Sequence, residues 1–188
     1  MREPAHQNGR DQEAERETLY REASAGHGAA IARLAAGYEA DPESRRDLIQ
    51  DIHVALWRSF AGFDGRCALG TWVYRVAHNV AASHVRRHSR GRKVATTLDL
   101  DAVDDRPGPE RRVGARLDLD RLLGLIRRLR PPDRQIMLLY LEDMDAAAIG
   151  DIVGLSAGAV STRLHRIRKT LTRRMADAAN DGGDDDGQ

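Results

Sequence analysis

The sequence predicts an all-α protein: two small helical domains joined by a flexible linker. Three observations carry that prediction. Apolar residues recur at helical spacing in several separate stretches, and no alternating β-branched run is long enough to suggest a sheet. Aromatic residues make up only 4% of the chain, so helix-favouring Ala, Leu and Arg must build the cores. Between residues 89 and 116 the apolar pattern lapses, and Pro107-Gly108-Pro109 sits inside that gap, as expected of a linker.

Residues 1–12 are polar and without periodicity, which predicts a disordered N-terminus. The first domain then spans 13–88. A weak stripe through Leu19, Ala23, Ile31, Leu34 and Tyr38 predicts a helix interrupted near Gly26 and Gly28. Asp41-Pro42 marks a break, with the proline suited to the first turn of the next helix. That helix places Leu48, Ile52, Ala55 and Leu56 on one face, with Ile49 beside them, and Arg45, Asp47, Gln50 and Asp51 on the other. Phe60 to Thr71 is glycine-rich and reads as a loop. A strong helix follows, with Trp72, Val73, Val76, Ala77, Val80, Ala81 and Val85 at helical spacing, and runs into the basic cluster RRHSRGRK.

The second domain spans 117–175. Leu119, Leu122, Leu123, Ile126 and Leu129 form one stripe, and Pro131-Pro132 ends that helix and starts another, in which Ile136, Leu139 and Tyr140 face inward. Two short helices with a tight turn follow in DAAAIGDIVGLSAGAVSTRLHRIRKTLTRR. Gly154 stands where the first of them stops, and glycine reaches the left-handed backbone of such a turn without steric cost. Ser156 is placed to cap the next helix, whose apolar stripe is Val160, Leu164, Ile167 and Leu171. Ser161, Thr162, His165, Arg166 and Lys169 are left facing outward. A helix-turn-helix presents such a helix to the DNA major groove, which puts DNA first among the ligands. Residues 176–188 form an acidic tail.

Charge is segregated along a chain whose formal net charge is only +1. Arg86 to Lys93 holds five Lys or Arg and no carboxylate, and Arg163 to Arg174 holds six. Asp99, Asp101, Asp104, Asp105 and Glu110 make the linker between them acidic. Two anion-binding surfaces separated by acidic connectors are expected. The single cysteine, Cys67, excludes an internal disulfide and reads as a plain loop thiol. No apolar stretch approaches membrane-spanning length, and the polar N-terminus lacks the apolar core of a signal peptide, so a soluble cytoplasmic protein is expected. His84 and His88 have the spacing of two ligands on one helical face, yet no CxxC or HExxH accompanies them, so no metal is expected and they are assigned to support a phosphate track. No phosphate-binding glycine loop, nucleophile motif or paired carboxylates appear, so neither enzymatic activity nor a cofactor is expected.

Two blocks resemble the extracytoplasmic-function (ECF) sigma factors of bacterial RNA polymerase, of the sigma-70 family. RRDLIQDIHVALWRSFAGFDGRCALGTWVYRVAHNVAASHVRR, residues 45–87, is similar to the family's second conserved region. Residues 117–171 are similar to its fourth, which ends in the helix-turn-helix. The pairing of Asp47-Leu48-Ile49-Gln50 with Thr71-Trp72-Val73-Tyr74-Arg75 carries most of the specificity.

The resemblance implies a transcription initiation factor with three partners: the core polymerase, docked through its largest-subunit clamp; promoter DNA; and an anti-sigma factor. Polymerase binding is implied for Asp47, Leu48, Ile49, Gln50, Asp51 and Trp57, with the carboxylates supplying charge complementarity. Opening of the promoter −10 element is implied for Phe63, Asp64, Trp72, Arg75, Asn79, Arg86 and Arg87. A melted strand needs a pocket for an extruded base and a cationic track for its backbone. Trp72 is either a wedge against the fork or a core residue, and Tyr74 is equally open. Reading of the −35 element is implied for Ser161, Thr162, His165 and Arg166, with Arg163 and Lys169 on phosphates. The acidic linker would suit a path through the polymerase's basic RNA exit channel.

The chain departs from the family pattern at several places. Ala146, Ala147 and Gly150 replace an acidic pair and an alanine, Ala159 a threonine, Ser161 a basic residue, and Leu69 an aromatic of the melting loop. The rival expectation is a helix-turn-helix regulator that binds duplex DNA without polymerase, as a dimer on a palindromic site.

Overall fold

The computed structural model describes residues 4–89 and 115–180; most of the expected linker and the last eight residues lie outside the described residues. The chain divides into two compact units, residues 1–88 and 89–188. Among the described residues all regular structure is helical, apart from a lone bridge residue at Leu129.

The first unit holds α1 (Pro4–Tyr38), α2 (Pro42–Ser59), a 3₁₀ turn (Phe60–Gly62) and α3 (Leu69–Ser89). Helix α1 corrects two expectations. It already includes residues 4–12, read as disordered, and it runs unbroken through Gly26 and Gly28. Beyond residue 12 it carries i,i+3 and i,i+4 pairs such as Glu13–Arg16 and Glu17–Arg21. Each glycine costs about 1 kcal/mol relative to alanine. Burial of Ala23 on one side and of Ala30, Ile31, Leu34, Ala35 and Tyr38 on the other outweighs that cost.

Helix α2 starts where Asp41-Pro42 predicts. The Asp41 carboxylate accepts the Ser44 N–H at 2.8 Å, and that bond holds its pKa below the ordinary value. Leu48, Ile52 and Leu56 of α2, Ile31 of α1 and Val73, Ala77 and Ala81 of α3 are all fully buried and make up the core of this unit. The glycine-rich segment is shorter than expected as a loop. Residues 60–62 wind into the 3₁₀ turn, and α3 claims Leu69, Gly70 and Thr71. Gly70 lies where α3 crosses α1, and a Cβ there would stand 3.0 Å from His27 Cε1.

Two polar side chains are buried with this core. His78 is enclosed, with Tyr38 Oη 3.0 Å from Nδ1, and burial pushes its pKa down to about 3. His84 stacks on His88 at a centroid distance of 4.1 Å, with Glu39 Oε2 3.5 Å from its Nε2. Burial, reinforced by His88, lowers the His84 pKa despite that carboxylate. Tyr74 is buried edge-on to His27, which makes it a core residue.

The second unit holds α4 (Ala115–Arg128), α5 (Pro131–Tyr140), α6 (Ala146–Val153) and α7 (Ala157–Asn180). Ile126, Leu129, Ile136, Leu139, Ile149, Val160 and Ile167 form its core. Leu119, placed on the same stripe by sequence, is exposed near the start of α4. Arg134 ties α4 to α5, donating to the carbonyls of Arg127 and Leu129. Helix α7 continues to Asn180, into the stretch read as acidic tail.

Candidate nucleic-acid interface

The turn between α6 and α7 is built from its local residues. The Asp145 carboxylate caps α6 by accepting the Ala148 N–H at 2.8 Å. Gly154 ends the helix at φ 73° and ψ 37°, the left-handed conformation that costs glycine nothing. Its N–H and that of Leu155 both reach the Gly150 carbonyl, at 2.8 and 3.1 Å. The turn folds so closely over Gly150 that a Cβ there would lie 2.5 Å from the Leu155 oxygen. Glycine at this departure from the family pattern lets the Leu155 carbonyl sit closer than the alanine of the pattern would without a shift of the turn. Ser156 then caps α7, its Oγ 3.3 Å from the Ala159 N–H.

Helix α7 buries Val160, Leu164, Ile167 and Leu171 and leaves Ser161, Thr162, His165, Arg166 and Lys169 exposed together. The Ser161 and Thr162 hydroxyls donate to the carbonyls one turn back, of Ala157 and Gly158, both at 3.0 Å. Their remaining lone pairs face outward, so each hydroxyl presents an acceptor. Arg163, assigned to a phosphate by the resemblance, faces a carboxylate here. It is half-buried, and its Nη1 lies 3.3 Å from Oδ1 of the buried Asp133.

On α3, Arg75, Asn79 and Arg86 share one helical face; Asn79 and Arg86 are exposed and Arg75 half-buried. Arg86 donates to Ser83 Oγ at 2.7 Å. Arg87 lies nearby but pairs with Asp51 of α2 at 3.2 Å. Between α2 and α3 runs a groove of about 660 Å³, bordered by Asn79, Arg87, Asp51 and Arg58. Arg58 was not singled out from sequence, although its place seven residues beyond Asp51 sets both on one face of α2.

The loop at the head of α3 is organised by aromatic side chains. Phe63 stands edge-on to Trp72 at 5.4 Å and to Phe60 at 6.3 Å. The Trp72 indole N–H donates to Ser59 Oγ at 2.9 Å, so the half-buried ring is fixed between loop and helix. Gly65 takes a positive φ of 72°, and beside it Asp64 pairs with Arg66 at 2.9 Å.

On α2, Asp47, Gln50 and Asp51 are exposed and Ile49 is half-buried. Leu48 is not available to a partner: it is fully buried and packs the helix onto its own core. Trp57 is half-covered by α1, with the Arg16 guanidinium 4.3 Å above its ring and Tyr20 edge-on at 5.6 Å. Among the described residues, no cluster of His, Cys, Asp and Glu is arranged to hold a metal ion, and no helix is long and apolar enough to cross a membrane.

Two family models match these two units: Sigma-70 region 2 over residues 25–91 and Sigma-70, region 4 over residues 119–171. RNA polymerase sigma factor NccH of Alcaligenes xylosoxydans xylosoxydans is 31% identical over 154 residues, covering 78% of this chain and 81% of the relative. ECF RNA polymerase sigma factor SigF of Caulobacter vibrioides is 33% identical over 142 residues, covering 71% and 72%. The chain belongs to the ECF sigma factors of the sigma-70 family. It is a transcription initiation factor that directs RNA polymerase to promoters, and the free-standing regulator is not favoured. Its two-domain helical fold is shared with CnrH, solved in complex with the cytosolic domain of CnrY. That match has a TM-score of 0.65 and 22% identity, and covers 89% of this chain and 94% of the other.

Proposed function

We propose that α7 reads the −35 element of promoters in the major groove, while α3 and the loop before it capture the melted −10 strand. The observation that carries this reading is the division of α7. Every residue of its apolar stripe is buried, and Ser161, Thr162, His165, Arg166 and Lys169 stand together in solvent. Arg166 has the fork for bidentate guanine readout, Lys169 the charge for a phosphate, and Ser161 and Thr162 offer acceptors to base amino groups. On the other unit, Asn79 offers a donor and an acceptor to an extruded base beside the Phe63–Trp72 pair, and Arg75, Arg86 and Arg87 line the path of the backbone.

The exposed Asp47, Gln50 and Asp51 face of α2 docks on the clamp of the polymerase's largest subunit, with Ile49 and the uncovered edge of Trp57 adding apolar contact. Leu48 supports that surface from beneath. An anti-sigma partner is proposed on the strength of the CnrH–CnrY complex, a structure of the same fold.

Run-off transcription with purified core polymerase on a promoter library tests the reading. Transcripts should start downstream of a shared two-part motif only when the protein is added. Arg166→Ala should relax one −35 position, costing about 1–3 kcal/mol of discrimination there. A folded protein that neither binds core polymerase nor yields new transcripts would overturn it.

A further inference from the structure

We propose that Asp133 is a positioning residue for promoter recognition, one that sets the rotation of α7 through Arg163. The inference rests on α7 being the −35 helix.

Asp133 lies in the first turn of α5 and is 1% exposed. Its Oδ1 is 3.3 Å from Arg163 Nη1, and its Oδ2 is 3.8 Å from Arg130 Nε. A carboxylate taken out of water persists only when it is paired. Here α7 supplies one guanidinium and the residue that starts α5 supplies the other. Val160, Leu164 and Ile167 of α7 are buried in the apolar core, and the Arg168 guanidinium lies 5.5 Å over the Tyr140 ring of α5. That packing selects the buried face of the helix, and the charged pair adds a directional restraint to it. A guanidinium–carboxylate contact is directional, and this one grips the flank of α7 between its buried and exposed faces. At a helix radius of about 5–6 Å, a rotation of roughly 20° shifts the surface side chains by about 2 Å. That is enough to break a bidentate contact made by Arg166, one helical turn further on.

The expected behaviour is therefore that of a device acting on specificity. Full-length protein carrying Asp133→Asn, Arg163→Gln or both is assembled with core polymerase and assayed on promoters that vary only at −35 or only at −10. Each single variant should narrow the preference for the best −35 sequence about tenfold and leave the −10 preferences unchanged. The double variant should be no worse than either single, because both remove one contact. Arg163→Gln should not change the salt dependence of promoter binding, whereas loss of a phosphate contact lowers the log–log slope by about 0.9. Arg163→Lys keeps a charge opposite Asp133 but loses the fork. It should match the wild-type melting temperature and still narrow the −35 preference, so the test survives if Asp133→Asn does not fold.

Equal loss of output on every −35 variant would overturn the inference, leaving Asp133 a purely structural residue. A reduced salt slope for Arg163→Gln, with additive effects in the double variant, would also overturn it and return Arg163 to the phosphates. The underlying reading is checked by Arg166→Ala. If that variant leaves every −35 preference intact, the reading of α7 fails and the inference falls with it. If Arg166 matters and the Asp133 variants discriminate normally, the inference alone fails.

Discussion

Acidification should loosen the first helical unit, because His78 is held neutral inside it. Burial pushes its pKa down to about 3, against 6.5 for an ordinary histidine. The unfolded chain therefore takes up a proton near pH 6.5 that the folded chain refuses. Stability is fully present above pH 6.5 and falls as the pH drops, until the folded state too is protonated near pH 3. Each pH unit inside that window costs about 1.4 kcal/mol, so moving from pH 7 to pH 5 removes about 2 kcal/mol. His53 and His84 are shifted the same way by burial and add to the loss. Both tryptophans, Trp57 and Trp72, lie in this unit, so their fluorescence follows its unfolding without interference from the other. Urea titrations at pH 7 and pH 5 would be compared for wild type and His78→Gln, which does not titrate and keeps a polar group facing Tyr38. The wild type should lose about 2 kcal/mol more than the variant on acidification. An equal loss in both, or a His78 ring titrating near pH 6.5 by NMR, would refute the reasoning.

Two further predictions concern glycines of opposite kind. Gly150→Ala gains about 1 kcal/mol of helix propensity, but its Cβ meets the Leu155 oxygen at 2.5 Å and pushes apart the two hydrogen bonds that close the turn. A net loss of about 1–2 kcal/mol is expected in thermal unfolding, together with weaker −35 duplex binding; unchanged stability would mean that the turn has room to spare. Gly26 and Gly28 sit inside α1, and a Cβ at either would have open space for 4 Å around it. Replacing both with alanine should stabilise the first unit by about 1–2 kcal/mol, read by the same tryptophan signal, and a destabilised variant would show that α1 needs those glycines.

The helical class, the break at Asp41-Pro42 and the turn at Gly154 were legible in the sequence because each depends on interactions within a few residues. The apolar stripe of α7 was legible for the same reason, since a spacing of three and four projects onto one face whatever the partner. The failures share a different cause. The course of α1 through Gly26 and Gly28 depends on what the flanking turns bury, which no local pattern reports. The burial of Leu48 is not among these failures, because the helical stripe already placed it with Ile52 and Leu56. The split between Tyr74 in the core and Asn79 in solvent follows from where α1 crosses α3. The bond from Trp72 to Ser59 and the cover that Arg16 gives Trp57 are long-range contacts, invisible to periodicity.

The two basic clusters show why charge runs must be sorted by the carboxylate that each cation faces. Arg87 pairs with Asp51, but both side chains are more than half exposed, at 61% and 52%. Such a pair contributes about 0–1 kcal/mol and is screened by salt, so a phosphate can take Arg87 at little cost. Arg163 faces an Asp133 side chain that is only 2% exposed. Releasing it leaves a buried carboxylate with a more distant cation, a cost of several kcal/mol that one phosphate contact does not offset. Two arginines that look alike in the sequence thus differ in the carboxylate they face, exposed for Arg87 and buried for Arg163. Docking obeys the same distinction. If Asp51 contacts the polymerase, docking competes for the partner of Arg87 and leaves that cation to the −10 strand, while the Arg163–Asp133 contact stays closed throughout. Affinity for melted DNA can then depend on polymerase, whereas the contact we propose to orient α7 would not.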